Sequence, residues 1–295
     1  MLICSEIATF AMDELLVSLA FTAATLGIEE QWDAMKDPDL VIAQSNCHIQ
    51  LSKCYVEYLL DEDIEIGHKD LVTCEDDQDD REFTEQQKAT FAEHKVKFTS
   101  HIVKAVQLGV QAKQSWLIFN AAIEFWNNYL PILRKLDYFV WIHPSGVEAM
   151  TECFEAMNGA FVSGDFASLD YNKVDYELER KMNVFTNISM QLARICEYKS
   201  QNQEAVRICE ILLTKNLPSH LRKTFDSIRA KVTKQVSNLA TLNNAGGKGA
   251  PAKAPAKGAP APDTKELKGP SKVDILTSEV LSYLELIQNG QKEMI

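Results

Sequence analysis

Apolar residues recur along most of this chain at helical rather than strand spacing, in windows too long for strands. Between Glu6 and Leu26 they cover most of the helical circumference, which predicts a buried helix sandwiched between neighbours and closed by Gly27. After Asp37-Pro38, the segment Leu40 to Leu60 repeats the pattern through Val41, Cys47, Leu51, Cys54 and Tyr58 and predicts a second buried helix. From Asp61 to Glu85 the sequence becomes acidic with little apolar periodicity, so an exposed loop that leaves the packed helices is expected there. Helical spacing returns from Glu85 to Leu108 through Phe91, Phe98, Ile102 and Val106. The densest apolar run follows, SWLIFNAAIEFWNNYLPIL, with Trp116, Phe119, Ile123, Trp126 and Leu130 on one stripe and Leu117, Ala121 and Ala122 broadening it. Pro131 is expected to bend or end that helix, and a turn is read at His143 to Gly146. A helix over Val147 to Met157, a loop over Gly159 to Tyr171 and a helix containing Tyr176, Met182, Phe185, Ile188 and Leu192 complete this region.

The stretch Leu192 to Pro218, LARICEYKSQNQEAVRICEILLTKNLP, writes two short amphipathic helices joined by a polar turn at Ser200, Gln201 and Asn202. Leu192, Ile195 and Cys196 share a face in the first helix, with Ala193 beside them and Tyr198 following; Ala205, Ile208, Cys209 and Leu212 share one in the second. A small Ala205 lets the two backbones approach, and Leu217-Pro218 ends the unit because proline cannot continue a helix. Together these residues resemble a tetratricopeptide repeat. The repeat is degenerate, since Ser189 replaces the bulky aromatic usual in the first helix and Cys209 stands where an aromatic is common.

Ser219 is placed to cap a further helix, whose stripe runs through Leu221, Phe225, Ile228, Val232, Val236 and Leu239. Then comes NNAGGKGAPAKAPAKGAPAPDTKELKGP, a low-complexity tract with nothing to bury, read as a flexible linker. Beyond it Val273, Leu276, Val280, Leu284 and Ile287 resume a helical stripe. One helix needs a partner for its stripe, so the chain is expected to be a piece of a longer polypeptide or to pack its end on another chain. The expected organisation is a helical segment over residues 1–60, an acidic loop over 61–85, a helical-repeat solenoid over 86–243, a disordered Ala/Pro/Lys linker over 244–271 and the start of another helical segment over 272–295. The fold class is all-α, an α-solenoid of degenerate tetratricopeptide-like helix pairs.

Composition supports helices: 46% of the 295 residues are hydrophobic, and the 12 glycines and 9 prolines are too few for a turn-rich β protein. The net charge of −12 argues against the body binding nucleic acid or an anionic membrane, both of which need a basic surface. Seven cysteines, several inside apolar helical patterns, fit free thiols in a reducing compartment. The apolar start carries Glu6, Asp13 and Glu14 and lacks the basic region of a signal peptide. No run approaches the roughly 18 uncharged apolar residues of a membrane span. A soluble, intracellular chain is expected.

Candidate chemistry is sparse. Asp61, Asp63 and Glu65 alternate as in a calcium loop, yet Ile66 occupies the position of the turn glycine and Val72 that of the bidentate glutamate. Cys47-His48 with Cys54, and His94 with His101, do not supply the two close-spaced ligand pairs of a structural zinc site. Cys4, Cys74 and Cys153 have no neighbouring histidine that marks a nucleophile. The chain has no GxxxxGK[ST], GxGxxG or GxSxG motif, so neither an enzyme nor a cofactor is expected. Trp116, Trp126, Tyr129 and Trp141 read as core rather than as an aromatic cage. Lys248, Lys253 and Lys257, interleaved with Pro and Ala, are the candidate electrostatic partner contacts, of the kind that lie along an acidic microtubule surface.

The helix pairs, the segment Ser115 to Leu133, the acidic tract and the Lys/Pro/Ala linker together resemble the tetratricopeptide-bearing cilia- and flagella-associated proteins of the axonemal central apparatus. That resemblance implies a non-enzymatic scaffold in a projection of the central-pair microtubules, cytoskeletal and axonemal in location. It would hold other axonemal or scaffold proteins within a large hetero-complex, with tubulin among the candidate partners and neither nucleic acid nor membrane. The alternative is a cytosolic tetratricopeptide-type adaptor organising a transport or regulatory complex, for which Arg194, Lys199 and Arg207 are the candidate peptide-carboxylate clamp.

Overall fold

The computed structural model describes residues 1–29, 37–72, 83–163, 176–215 and 217–245, all within one compact unit, Met1–Gly247. In order these residues form α1 (Leu2–Asp13), α2 (Val17–Glu29), α3 (Pro38–Leu60), α4 (Glu85–Gln111), α5 (Ser115–Leu133), the one-turn α6 (Tyr138–Trp141), α7 (Pro144–Ser163), α8 (Tyr176–Tyr198), α9 (Asn202–Leu213) and α10 (Ser219–Ala245). No strand occurs among the described residues, where an isolated antiparallel bridge pairs His68 with Ile142, so the fold is all-α. With α6 set aside, helices pack on those one or two places away in chain order. Thus α3 lies on α1, α2, α4 and α5, while α7 lies on α4, α5 and α8, and α10 on α8 and α9.

Helix starts follow local chemistry. Pro38 begins α3 with its φ already suited to a helix, and the Asp37 carboxylate accepts from the Asp39 backbone N–H at 3.0 Å. Thr84 and Gln87 close a capping box on α4. The first helical segment departs from expectation. It is two helices, broken at Glu14–Leu16 with Leu15 in the left-handed region (φ 58°), and no glycine or proline marks the break. Gly27 does not close a helix; it lies inside α2, where a Cβ would fall 2.6 Å from the Cys47 sulfur. Nor is the segment sandwiched. Ala8, Ala11, Ala20 and Ala24 face inward, while Ile3 (70% exposed) and Phe10 (62% exposed) face water.

The acidic segment also departs from its expected place. Its first part folds back into the body: Ile64, Glu65, Ile66, Gly67 and His68 are all buried. Backbone pairing holds it, with Lys69 N–H donating to the Trp141 carbonyl at 2.7 Å and His143 N–H donating to the Gly67 carbonyl at 2.8 Å. The buried Lys95 ammonium of α4 donates to the carbonyls of His68 (2.8 Å) and Asp70 (2.9 Å), and Lys135 reaches the Glu65 carboxylate at 2.6 Å. Two apolar side chains at alternate positions, Ile64 and Ile66, drive the burial; that short extended pattern is masked by the surrounding acids. Residues 73–82 of the expected loop lie outside the described residues.

In α5 the stripe facing the core is Ile118, Phe125, Tyr129 and Ile132, joined by Leu117, Phe119, Ala121 and Ala122. Trp116 (38%) and Trp141 (41%) are exposed and Trp126 is half-buried, so of the four aromatic residues expected in the core only Tyr129 belongs to it. Contacts with both α4 and α7 select the buried face, and neither is visible in the spacing of α5 itself. Pro131 does not end α5, which runs on through Leu133. Residues 144–146 form the first turn of α7 rather than a separate turn, and α7 continues past Gly159 to Ser163.

The α8–α9 pair matches the pattern closely. Leu192, Ala193, Ile195 and Cys196 are buried on α8 and Ala205, Ile208, Cys209 and Leu212 on α9. Ser200, at φ 58°, makes the turn, whereas Asn202 belongs to α9 and is buried, and Tyr198 is exposed against Phe139. Phe225, Ile228 and Val232 bury the stripe of α10. That helix extends to Ala245, two residues into the expected linker, and everything from residue 246 lies outside the described residues. Among the described residues no helix is long and apolar enough to cross a membrane.

Candidate interaction site

Helix α3 divides its chemistry between two sides. Cys47, Leu51 and Cys54 pack on the alanines of α1 and α2, whereas His48 turns toward α4 and meets His101 with their Nδ1 atoms 2.8 Å apart. The suggested Cys47–His48–Cys54 grouping is therefore pulled apart by the helix. On α4, His101 stacks on Tyr55 (ring centroids 5.6 Å apart, 13° between planes) and His94 lies against both Tyr55 (5.3 Å) and Tyr58 (5.7 Å). Phe21 of α2 closes the group from the other side, 5.8 Å from Tyr55 and 6.0 Å from Tyr58. The outcome is a half-buried seam of five rings and one buried imidazole, His48, between α2, α3 and α4. Among the described residues no group of three or more His, Cys, Asp or Glu is placed to hold a metal ion.

The seam holds its imidazoles neutral. Burial pushes His48 down to about 3, helped by His101 and Lys104 nearby, and pushes His101 down to about 4, helped by Lys97. Burial also lowers His94, against the opposing pull of Glu93. A neutral pair shares one proton across the 2.8 Å contact, whereas two imidazolium rings would set donor against donor. The sign of the pH dependence follows. Above about 6.5 the folded and unfolded chains hold these rings alike; below it the unfolded chain takes up protons that the folded chain refuses. Stability is therefore complete above pH 6.5 and falls toward pH 4, by about 1 kcal/mol per pH unit for a group of this kind. Denaturant unfolding at pH 7.5 and 5.5 should show the loss, and a chain carrying His48→Asn and His101→Gln should lose less on acidification. A midpoint equally pH-dependent in both chains would contradict the assignment.

The candidate clamp residues fare differently. Arg207 is already neutralised, paired with Glu204 at 2.6 Å and with Glu155 of α7, while its guanidinium lies over the Phe154 ring. Its place is between α7 and α9, as a tie. Arg194 is half-buried on α8, and Lys199 is exposed in the turn that follows it. Lys248, Lys253 and Lys257, the candidate partner contacts, lie outside the described residues. Burial pushes the thiols of Cys47 and Cys196 up to about 11 and those of Cys54 and Cys209 up to about 12, and it raises Cys153 as well. These cysteines stay protonated at neutral pH and act as small packing groups.

The ring seam has no local signature in the sequence. His94 and His101 are seven residues apart on one helix face, as are Cys47 and Cys54, but which side of α3 meets α4 is decided by the alanines of α1 and α2 taking the other side. Comparison with known proteins gives no matching family model, no matching curated protein and no matching solved structure.

Proposed function

We propose that the chain is a structural α-solenoid scaffold of degenerate tetratricopeptide-like pairs that holds other proteins in a projection of the ciliary central-pair microtubules and so supports motility. The observation that carries the scaffold reading is the packing order, in which, with the one-turn α6 set aside, helices rest on those one or two places away, as expected of a stack that grows along one direction and leaves long lateral surfaces for partners. The α8–α9 pair, with small Ala193 and Ala205 buried at its interface, supports the repeat unit. The axonemal assignment rests on the resemblance of Ser115 to Leu133 and Leu192 to Pro218, in company with the Lys/Pro/Ala linker, to the central-apparatus proteins. On this reading the linker lysines add electrostatic attraction to acidic tubulin. No catalytic role or cofactor is assigned.

The adaptor alternative loses one of its three candidate cations, because Arg207 spends its charge on Glu204 and Glu155. Tagging the protein in a ciliated cell separates the two readings. Detergent-extracted axonemes should retain it when the central pair is present and lose it when the central pair is missing; a wholly cytosolic signal would move the assignment to the adaptor.

A further inference from the structure

Helix α1 sits at one end of the described stack, packed on α2 and α3 through Ser5, Ala8, Ala11 and Met12. Its outer face is not polar. Ile3, Ile7 and Phe10, at i, i+4 and i+7, are 70%, 42% and 62% exposed and form a continuous apolar stripe. Glu6, Asp13 and Glu14 border that stripe, all exposed, and residues 1–29 contain no Lys, Arg or His side chain.

The charges are placed against their own helix. Asp13 and Glu14 stand at the C-terminal end of α1, where the helix dipole is already negative, and its last turn carries no basic residue. A cation brought to that end would relieve both the dipole and the carboxylates. A second copy of this face would bring carboxylates to carboxylates, and an anionic membrane would meet the same repulsion. An amphipathic helix with an apolar stripe between lysines or arginines satisfies the apolar face and the acidic border together.

We propose that the outer face of α1, with Ile3, Ile7 and Phe10 as anchors and Glu6, Asp13 and Glu14 as its acidic border, docks a basic amphipathic helix of a partner protein. The inference stands on this face alone and does not depend on the axonemal assignment.

The test uses the full 295-residue chain and two synthetic helical peptides of about 18 residues that share one leucine stripe, bordered by lysine in one and by glutamate in the other. Fluorescence anisotropy should show the lysine peptide binding at least about tenfold more tightly than the glutamate peptide, with the preference shrinking as salt is raised. Phe10→Ser should weaken the lysine peptide about tenfold, as loss of a central anchor does. Glu6→Lys with Asp13→Lys should reverse the preference. All three positions are exposed, and unchanged circular dichroism and melting would show that the variants fold. Equal binding of the two peptides overturns the proposal, as does binding indifferent to these substitutions, or no binding at all. Sedimentation of the free chain as a dimer that Phe10→Ser dissociates would assign the face to a second copy and overturn it too.

Discussion

Gly146→Ala melts at a lower temperature than the parent chain and costs about 1–3 kcal/mol, the usual scale for overfilling a packed site. Gly146 lies in the first turn of α7, where alanine would ordinarily stabilise a helix by about 1 kcal/mol. The sign is reversed by one neighbour. A Cβ at this position falls within 2.6 Å of Tyr129 Cζ and closer still to Cε1, inside contact distance. Tyr129 cannot swing aside, because its ring is stacked on Phe125 at 4.5 Å and on Phe98 at 6.0 Å and is wholly buried. Gly67, outside the helices, repeats the arrangement against α5, with its Cβ site 3.2 Å from Ile132 Cβ and closer to Cγ2. The two glycines thus let the buried part of the acidic segment and the start of α7 press on α5 together. Thermal unfolding followed by circular dichroism reads the effect, and combining Gly146→Ala with Tyr129→Leu should recover part of the loss because the two changes share one contact. A rise in melting temperature for Gly146→Ala would show that the contact is not there.

Lys95→Ala is expected to cost about 2–4 kcal/mol and to release residues 61–72 before any helix opens. The Lys95 side chain is 1% exposed, and its ammonium spans the carbonyls of His68 and Asp70. Truncation removes donors from two backbone acceptors and leaves a cavity beside α4. Lys95→Met keeps most of the volume and loses only the donors, so it should fall between the parent and Lys95→Ala. Limited proteolysis should cut both variants first within residues 61–72. First cleavage elsewhere, with that segment still protected, would mean that Ile64, Ile66 and the backbone pairing with Trp141 and His143 suffice without the lysine.

What could be read from the sequence, and what could not, follows from where each signal lives. The α8–α9 pair was legible because its buried positions repeat locally and its turn carries polar residues; every residue placed on the two shared faces is buried. The helix over Pro38–Leu60 was legible through its Asp37-Pro38 start and its length. The break at Leu15 was not, since a left-handed leucine leaves no compositional mark. The burial of Ile64 to His68 was hidden because two isoleucines among acids look like a charged loop until Lys95 and the edge residues 141–143 are brought to them from distant parts of the chain. In α5, where apolar residues cover nearly the whole circumference, the pattern cannot choose a face; packing on α4 and α7 leaves Trp116 in water and Trp126 half-buried. The apolar character of α1 was legible, but its exposure was not. An apolar stripe reads the same whether its cover lies in the chain or in a partner.

Native-state hydrogen exchange on the parent chain and on Ile208→Ala tests the proposed solenoid most directly. Ile208 is fully buried on α9, and its truncation should cost about 2–5 kcal/mol. In a stack whose helices depend on near neighbours, protection should fall in α8, α9 and α10 and stay unchanged in α1 to α4. Loss of protection of equal size in every helix would mean a single cooperative core and would contradict the solenoid.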